Sequence, residues 1–290
     1  MSDAPRETVE QHIAQVESES IELRLLTDAI HLKYGYDFRG YAKASLKRRV
    51  MRCLERNELE NISALQHRVL NDASFFESLL LDLSVAVTEM FRDPAFFQAL
   101  REVVFPSLAK NEHNKVWIAG CASGEEAYSL AILLKEAGLY DRTKIFATDI
   151  NEVVLRRAAD GILPLKSMTD CTTAYQKSGG SRAFVDYYVS RYKSALLDKS
   201  LRENLVFAHH NLATDGVFGE FDLVLCRNVL IYFGRELQDR VLGLFADSLV
   251  DNGFLGLGTR ESARFSAFAD EFESIVPEQR IYQRRPGTRR

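Results

Sequence analysis

An α/β protein, with an open and mostly parallel sheet preceded by an all-helical domain, is the fold that the sequence predicts. Three observations predict it. Helix signals run to about residue 110 with no strand-like interruption. Beyond Asn114, short apolar runs alternate with helical periodicity, the pattern of a parallel sheet covered on both faces. A glycine pair, Gly120 and Gly124, follows the first of those runs and opens a helix, where open parallel sheets bind their ligands. The composition is that of an ordinary globular chain: 290 residues, 46% hydrophobic and 27% charged, with six prolines.

In the helical part, Ser63 with Gln66 and Ser74 with Glu77 have capping-box spacing ahead of apolar stretches. Asp93-Pro94 reads as an N-cap followed by proline at the first helical position. The strands expected next are 115–119, 144–148, 204–208 and 221–226, then "GFLGLG". Two more lie in "FESIVPEQRIYQRR", joined by a turn at Pro277-Glu278. Helices are expected over 125–136, around "EVVLRRAA" and over 235–249. The closing hairpin predicts one antiparallel strand at the sheet edge. Residues 161–202 are too long for a plain connection and are expected to carry a small structure of their own.

Several classes are disfavoured. The net charge of −4 argues against a chain whose main partner is nucleic acid. The N-terminal stretch "MSDAPRETVEQ" lacks the apolar core of a signal peptide, and no apolar run approaches the roughly 20 residues of a membrane span. A cytoplasmic protein without direct membrane insertion is therefore expected. Cys53, Cys121, Cys171 and Cys226 are scattered, with no CxxC pair or Cys/His cluster, so neither a metal nor a disulfide framework is expected. His209-His210 on a strand would point to opposite faces.

The loop "IAGCASGEEAYSLAI" combines a glycine turn with two carboxylates. A Walker loop needs Gly-Lys-Ser/Thr where this chain has Gly-Glu-Glu. A dinucleotide fold needs GxGxxG and a helix N-terminus that holds pyrophosphate, which two glutamates would repel. S-adenosylmethionine fits better, because it has no phosphate and carries an ammonium and a sulfonium. The glycines admit close backbone approach, and Asp149 ends the second strand where an acid would accept ribose hydroxyls. Ser123 and Glu126 have capping-box spacing, so Glu126 is expected as a cap and Glu125 as the ligand contact.

"CASGEEAYSLAI", "ATDIN", "HHNLA" and "FDLVLCRNVLIYF" resemble, in order and spacing, the CheR family of chemoreceptor glutamate methyltransferases. Upstream, "LSVAVTEMFRDPAFF" resembles the segment that precedes that family's catalytic domain, and the likeness runs from about Ile21 to Arg284. The resemblance implies a Rossmann-like S-adenosylmethionine-dependent methyltransferase sheet with a small inserted β-subdomain at about 161–202. It implies a flexible tail over 1–20, a helical substrate-docking domain over 21–92 and a catalytic domain over 93–290. Donor contacts carried over by position are Thr88, Arg92, Gly120, Glu125, Asp149, Asn211, Leu212, Arg227 and Asn228. Arg92 would hold a carboxylate, and Tyr232 would lie near the transferred methyl. The implied partners are the cytoplasmic methylation helices of chemoreceptors, met by a monomer, with S-adenosylhomocysteine as the second product. Ala86 and Ala127 stand where the family usually has Asn and Pro. Two other readings are a regulatory scaffold that binds the donor without turnover, and a nucleic-acid methyltransferase. Against the second, "CRNVLIYF" lacks the Asp/Asn-Pro-Pro-Tyr/Phe pattern of enzymes that methylate exocyclic amines.

On charge alone "YAKASLKRRVMRCLERN" reads as a solvated helix face, and the resemblance, which implies a glutamate-rich coiled coil as acceptor, makes it the expected docking face. Lys43, Lys47, Arg48, Arg49, Arg52 and Arg56 place six cations within 14 residues, opposed only by Glu55. Arg48, Arg52 and Arg56 repeat at i, i+4 along one helix face. Such a stripe can steer an acidic partner.

Overall fold

A computed structural model describes residues 4–84 and 88–287, with side chains from residue 15 onward. Ala86 falls outside them. The chain forms two compact units, Met1–Ser84 with Tyr232–Gly234, and Val85–Ile231 with Arg235–Arg290.

The first unit is helical: α1 (Ala4–Tyr34), α2 (Lys43–Arg56), α3 (Ile62–Asn71) and α4 (Ala73–Leu83). Leu46, Val50, Cys53 and Leu54 form the buried stripe of α2, at the spacing that faces a helix toward a core. They pack with Leu26, Ile30, Leu65, Val69 and Leu79. Helix α1 begins at Ala4, within the stretch expected as a tail. Its Pro5 sits in the first turn, where a missing N–H costs little, and no glycine or proline follows until Gly35. Gly35 at φ +79° then ends the helix, its N–H donating to His31 O at 2.9 Å.

The caps of α3 and α4 are Asn61 and Asp72, accepting from Ala64 N at 2.8 Å and Phe75 N at 3.0 Å, two residues before the expected serines. Ile62 is buried, so α3 must start ahead of Ser63 to seat it.

The second unit opens with α5 (Pro94–Ala99), which runs through a wide turn at Leu100–Val104 into α6 (Phe105–Leu108). Then follow β1 (Asn114–Ala119), α7 (Glu125–Glu136), β2 (Thr143–Asp149) and α8 (Glu152–Asp160). The insert holds β3 (Ile162–Pro164), α9 (Met168–Lys177), β4 (Tyr188–Arg191) and β5 (Ser194–Leu197). The chain returns through β6 (Leu205–His209), β7 (Phe221–Cys226), α10 (Arg235–Ser248), β8 (Leu249–Leu257), β9 (Phe272–Val276) and β10 (Ile281–Arg284).

The main sheet has the order β6-β2-β1-β7-β8-β10-β9 and is parallel except for β10, which is antiparallel to both β8 and β9. The antiparallel strand is therefore inside the sheet and not at its edge. Burial explains this: Ile281 and Tyr282 of β10 are buried, whereas β9 carries exposed Glu273 and suits the edge. Strand β1 lies between β2 and β7, so the loops leaving β1 and β7 diverge and open a crevice at their carboxyl ends. In the insert, β3-β5-β4 form a separate antiparallel sheet, the small structure that the length of this segment predicts. Its β4–β5 hairpin closes without glycine, Tyr192 taking φ 51°.

Candidate active site

The loop after β1 is laid across the end of β2. Gly120 sits at φ +76°, and its N–H donates to Thr148 O at 2.8 Å. A Cβ added there would fall 2.5 Å from Val229 Cγ2, so only glycine fits between the two loops. Ala122 takes φ 48°, and its N–H donates to Asp149 Oδ2 at 2.9 Å. Asp149 also accepts from Asn151 N at 2.9 Å. Burial pushes this carboxyl above its ordinary range, while the backbone amides pull it back. Asp149 thus both pins the glycine loop and closes the turn after β2.

Helix α7 starts from Gly124, and the expected Ser123–Glu126 capping box does not form. Ser123 Oγ donates instead to the two carboxylate oxygens of Glu125, at 3.0 and 2.8 Å. Burial raises the Glu125 carboxyl. Glu126 is the partner of Arg227, whose Nη1 donates to it at 3.0 Å. Arg227 Nη2 donates to Asp93 Oδ2 at 2.7 Å and to Arg92 O at 3.1 Å, and the guanidinium lies 4.0 Å from the Phe96 ring centre. The Arg227 side chain is 1% exposed and belongs to this clamp, which leaves its main chain for a donor. Asp93 precedes α5 as expected but does not cap it: at φ 56° its carboxylate turns to Arg227.

The clamp fixes the segment that bears Thr88 and Arg92. Phe91 N donates to Ser129 Oγ at 2.9 Å, and Arg92 lies between two left-handed residues, Phe91 and Asp93. Thr88 and Arg92 are both half-buried. Among the described residues, the Arg92 guanidinium makes no hydrogen bond or ion pair.

Two loops complete the crevice. After β6, Asn211 Oδ1 accepts from Ala213 N at 3.0 Å, its own N–H donates to Asp215 Oδ2 at 2.9 Å, and Leu212 is buried. After β7, Asn228 takes φ 61°, its N–H donating to Glu261 Oε2 at 2.9 Å, while its Oδ1 is buried without a hydrogen-bond partner among the described residues. Glu261 also accepts from Gly258 N at 2.6 Å and Ile231 N at 3.2 Å. Burial raises its carboxyl and these amides oppose the rise. Sequence reasoning missed Glu261, the Glu126–Arg227–Asp93 clamp and Ser129. The only signal was an acid in "GTRES" just after a strand.

The remaining expected residues belong to the helical unit. The Arg49 guanidinium lies 4.3 Å from the ring centre of Tyr232, whose carbonyl accepts from Ala42 N at 2.8 Å. Arg49 is buried and donates to Leu83 O, so it leaves the proposed docking face. It is one residue, or about 100°, round from Arg48, beside Leu46 and Val50. Lys47 pairs with Glu19 at 2.6 Å, and Arg56 pairs with Asp82. Arg48 and Arg52 are exposed, and neither has a partner among the described residues.

The crevice fits a cationic nucleoside without phosphate. Its helix start carries Glu125 where a phosphate site would need donors alone. Among the described residues, the buried acceptors Glu126 Oε1 and Asn228 Oδ1 lack hydrogen-bond partners. Residues 86–279 match the family described as CheR methyltransferase, SAM binding domain, and residues 21–84 match CheR methyltransferase, all-alpha domain. The chain belongs to the CheR methyltransferase family.

Among CheR-family relatives, a Pseudomonas putida protein named as the methyltransferase Cher3 is 53% identical over 264 residues, covering 91% of this chain and 97% of that one. A chemotaxis protein methyltransferase of Listeria innocua is 28% identical over 237 residues, covering 81% of this chain and 87% of that one. The magnesium protoporphyrin IX methyltransferase of Synechocystis, with bound SAH, is similar at a TM-score of 0.32 and 21% identity, over 58% of this chain and 56% of that one. CheR membership makes the second unit an S-adenosylmethionine-binding methyltransferase domain, in keeping with its glycine loop and Asp149.

Proposed function

We propose that this CheR-family chain transfers the methyl of S-adenosylmethionine to glutamate side-chain carboxylates of chemoreceptors, giving glutamyl methyl esters and S-adenosylhomocysteine. One observation carries the reading: the crevice presents a half-buried arginine, Arg92, that is hydrogen-bonded to no protein acceptor among the described residues. Glu125, Asp149 and Glu261 accept from protein donors and Glu126 from Arg227, whereas the Arg92 guanidinium makes no hydrogen bond or ion pair among the described residues and meets Glu126 only through charge attraction. A glutamate has an unperturbed pKa of about 4.3 and arrives already ionised at neutral pH. Such an acceptor needs a guanidinium to aim it and no base to deprotonate it. An amine acceptor would need the opposite. Relatives named chemotaxis protein methyltransferase support a chemoreceptor as the acceptor, and with it a cytoplasmic site of action.

In this reading Asp149 accepts the ribose hydroxyls, and the backbone of Gly120–Gly124 lies against the nucleoside. Glu125 and Asn228 Oδ1 face the donor's cationic end. Thr88, Asn211, Leu212 and the Arg227 main chain complete the binding. Tyr232, which the family resemblance links to the methyl, belongs to the helical unit, where Arg49 covers its ring. The bound donor supplies a methyl on a sulfonium, whose sulfur keeps the bond pair as the acceptor oxygen forms the ester. Arg92 aims that oxygen. Positioning of this kind can supply several kcal/mol, roughly 7–11 in well-oriented cases. The reaction dissipates charge, so exclusion of water by the surrounding loops favours it. Mass spectrometry of receptor incubated with enzyme and donor tests this: a methyl on a glutamate side chain is expected, and a methyl on lysine, arginine or nucleic acid alone would refute it.

A further inference from the structure

The catalytic unit carries a second concavity that the donor site does not use. A cavity of about 500 Å³ opens between the start of α10, the loop after β8 and the β9–β10 turn. Arg235, Arg260 and Arg280 place three guanidiniums on its wall, with Phe265 beside them. Two carboxylates also line it, and both are engaged: Glu261 by the amides of Gly258, Asn228 and Ile231, and Asp239 by Ala267 N at 3.3 Å. The arginines are less committed. Arg235 donates to Phe265 O at 3.0 Å, Arg280 to Thr259 O at 3.4 Å, and Arg260 makes no hydrogen bond or ion pair among the described residues. Phe265 is 78% exposed and adds an apolar surface.

The cavity shares a wall with the donor crevice. Leu230 and Ile231 line it, and they continue the loop that begins at Arg227-Asn228. Glu261 lines it too, and its carboxylate holds that same loop by the Asn228 and Ile231 amides. A ligand seated here lies one short loop from the candidate donor contacts.

We infer that this cavity binds the acidic flank of the protein acceptor, taking carboxylates that neighbour the modified glutamate onto Arg260, Arg280 and Arg235; the inference rests on the carboxylate-acceptor reading above. Charge complementarity selects the occupant. Open guanidiniums favour carboxylates, which they can bind in bidentate fashion. Exposed, apolar Phe265 suits the helical stem that carries them. The site therefore sets acceptor affinity and register, and leaves donor affinity alone.

The test uses the full chain and a fluorescein-labelled helical peptide of repeating glutamate and alanine pairs, followed by anisotropy. Arg260→Glu reverses the least committed charge, Thr259→Trp fills the cavity without changing charge, and Arg260→Lys keeps the cation. Arg260→Glu, by losing a charged contact, and Thr259→Trp, by blocking entry, should each weaken peptide binding by about tenfold or more, and Arg260→Lys should retain most of it. The same two variants should raise the acceptor KM with little change in kcat, and calorimetry should give unchanged S-adenosylhomocysteine affinity. Arg260-dependent peptide binding without any methyl ester in the product would refute the carboxylate-acceptor chemistry and still support an acid-binding cavity. Normal ester formation, with peptide affinity and acceptor KM within twofold of wild type in both variants, would overturn the cavity alone. Absence of peptide binding to the wild-type chain would overturn it as well.

Discussion

Removing the Arg227 guanidinium should unfold the donor crevice from beneath. In Arg227→Met the side chain keeps an apolar stem against Phe96, but Glu126 and Asp93 lose their cation and the Arg92 carbonyl loses its donor. The Glu126 side chain is only 13% exposed, so water cannot replace the missing partner. Stranding one member of a buried pair costs about 3–5 kcal/mol. Adding Glu126→Gln removes the stranded charge and should return about 2 kcal/mol, since the two sites are in direct contact and do not add. Urea unfolding followed by fluorescence reads this cleanly, because Trp117 is the single tryptophan of the chain and lies buried on β1 of the catalytic unit. A loss below about 1 kcal/mol in Arg227→Met, or a double variant no more stable than the single, would refute the clamp.

Three further outcomes are expected. Asp149→Ala should weaken S-adenosylhomocysteine binding by about 1.5–3 kcal/mol in calorimetry, through lost hydrogen bonds to a charged group and a released Ala122 amide; unchanged affinity in a folded variant would remove Asp149 from the site. Burial, opposed by Arg227, holds the Glu126 carboxyl above its ordinary 4.5, so its ionisation costs stability that is absent below that value and complete above the raised one. Glu126→Gln should therefore gain stability relative to wild type as pH rises from about 4.5 toward neutrality, and a difference that stays flat or moves the other way would contradict it. Arg48→Glu with Arg52→Glu should cut receptor methylation and its salt sensitivity without changing donor affinity, since single exposed pairs are worth only about 0–1 kcal/mol and both charges must be reversed to register; wild-type turnover would reduce the stripe to a solvated face.

The parts of the fold that obey local rules were legible in the sequence. Helix α7 spans the expected Glu125–Glu136 because an apolar strand, two glycines and a helical period mark its start. Strand β7 keeps its expected bounds, Phe221–Cys226, for the same reason. What escaped depends on contacts between distant residues. Arg227 meets Glu126 and Asp93 across separations of 101 and 134 residues, and Glu261 reaches back 33 residues to Asn228. No periodicity records such pairings. Capping boxes misled at Ser123 because two better options were nearby, the glycine at φ +89° for the turn and Arg227 for Glu126. The cationic stretch of α2 misled differently: counting charges ignored that Arg49 points with Leu46 and Val50 into the core. The antiparallel strand was misplaced at the edge because a hairpin can add to a sheet by either strand, and burial of Ile281 and Tyr282 decides which one lies inside.

The central claim is that an already ionised carboxylate receives the methyl. The most direct measurement incubates the full chain with S-adenosylmethionine labelled in its methyl group and a chemoreceptor cytoplasmic fragment, isolates the labelled receptor, and exposes it to mild alkali. A glutamyl methyl ester hydrolyses there, so the label should leave the protein as volatile methanol. Label that stays on the receptor after alkali would mean a methyl on nitrogen, and would contradict the account.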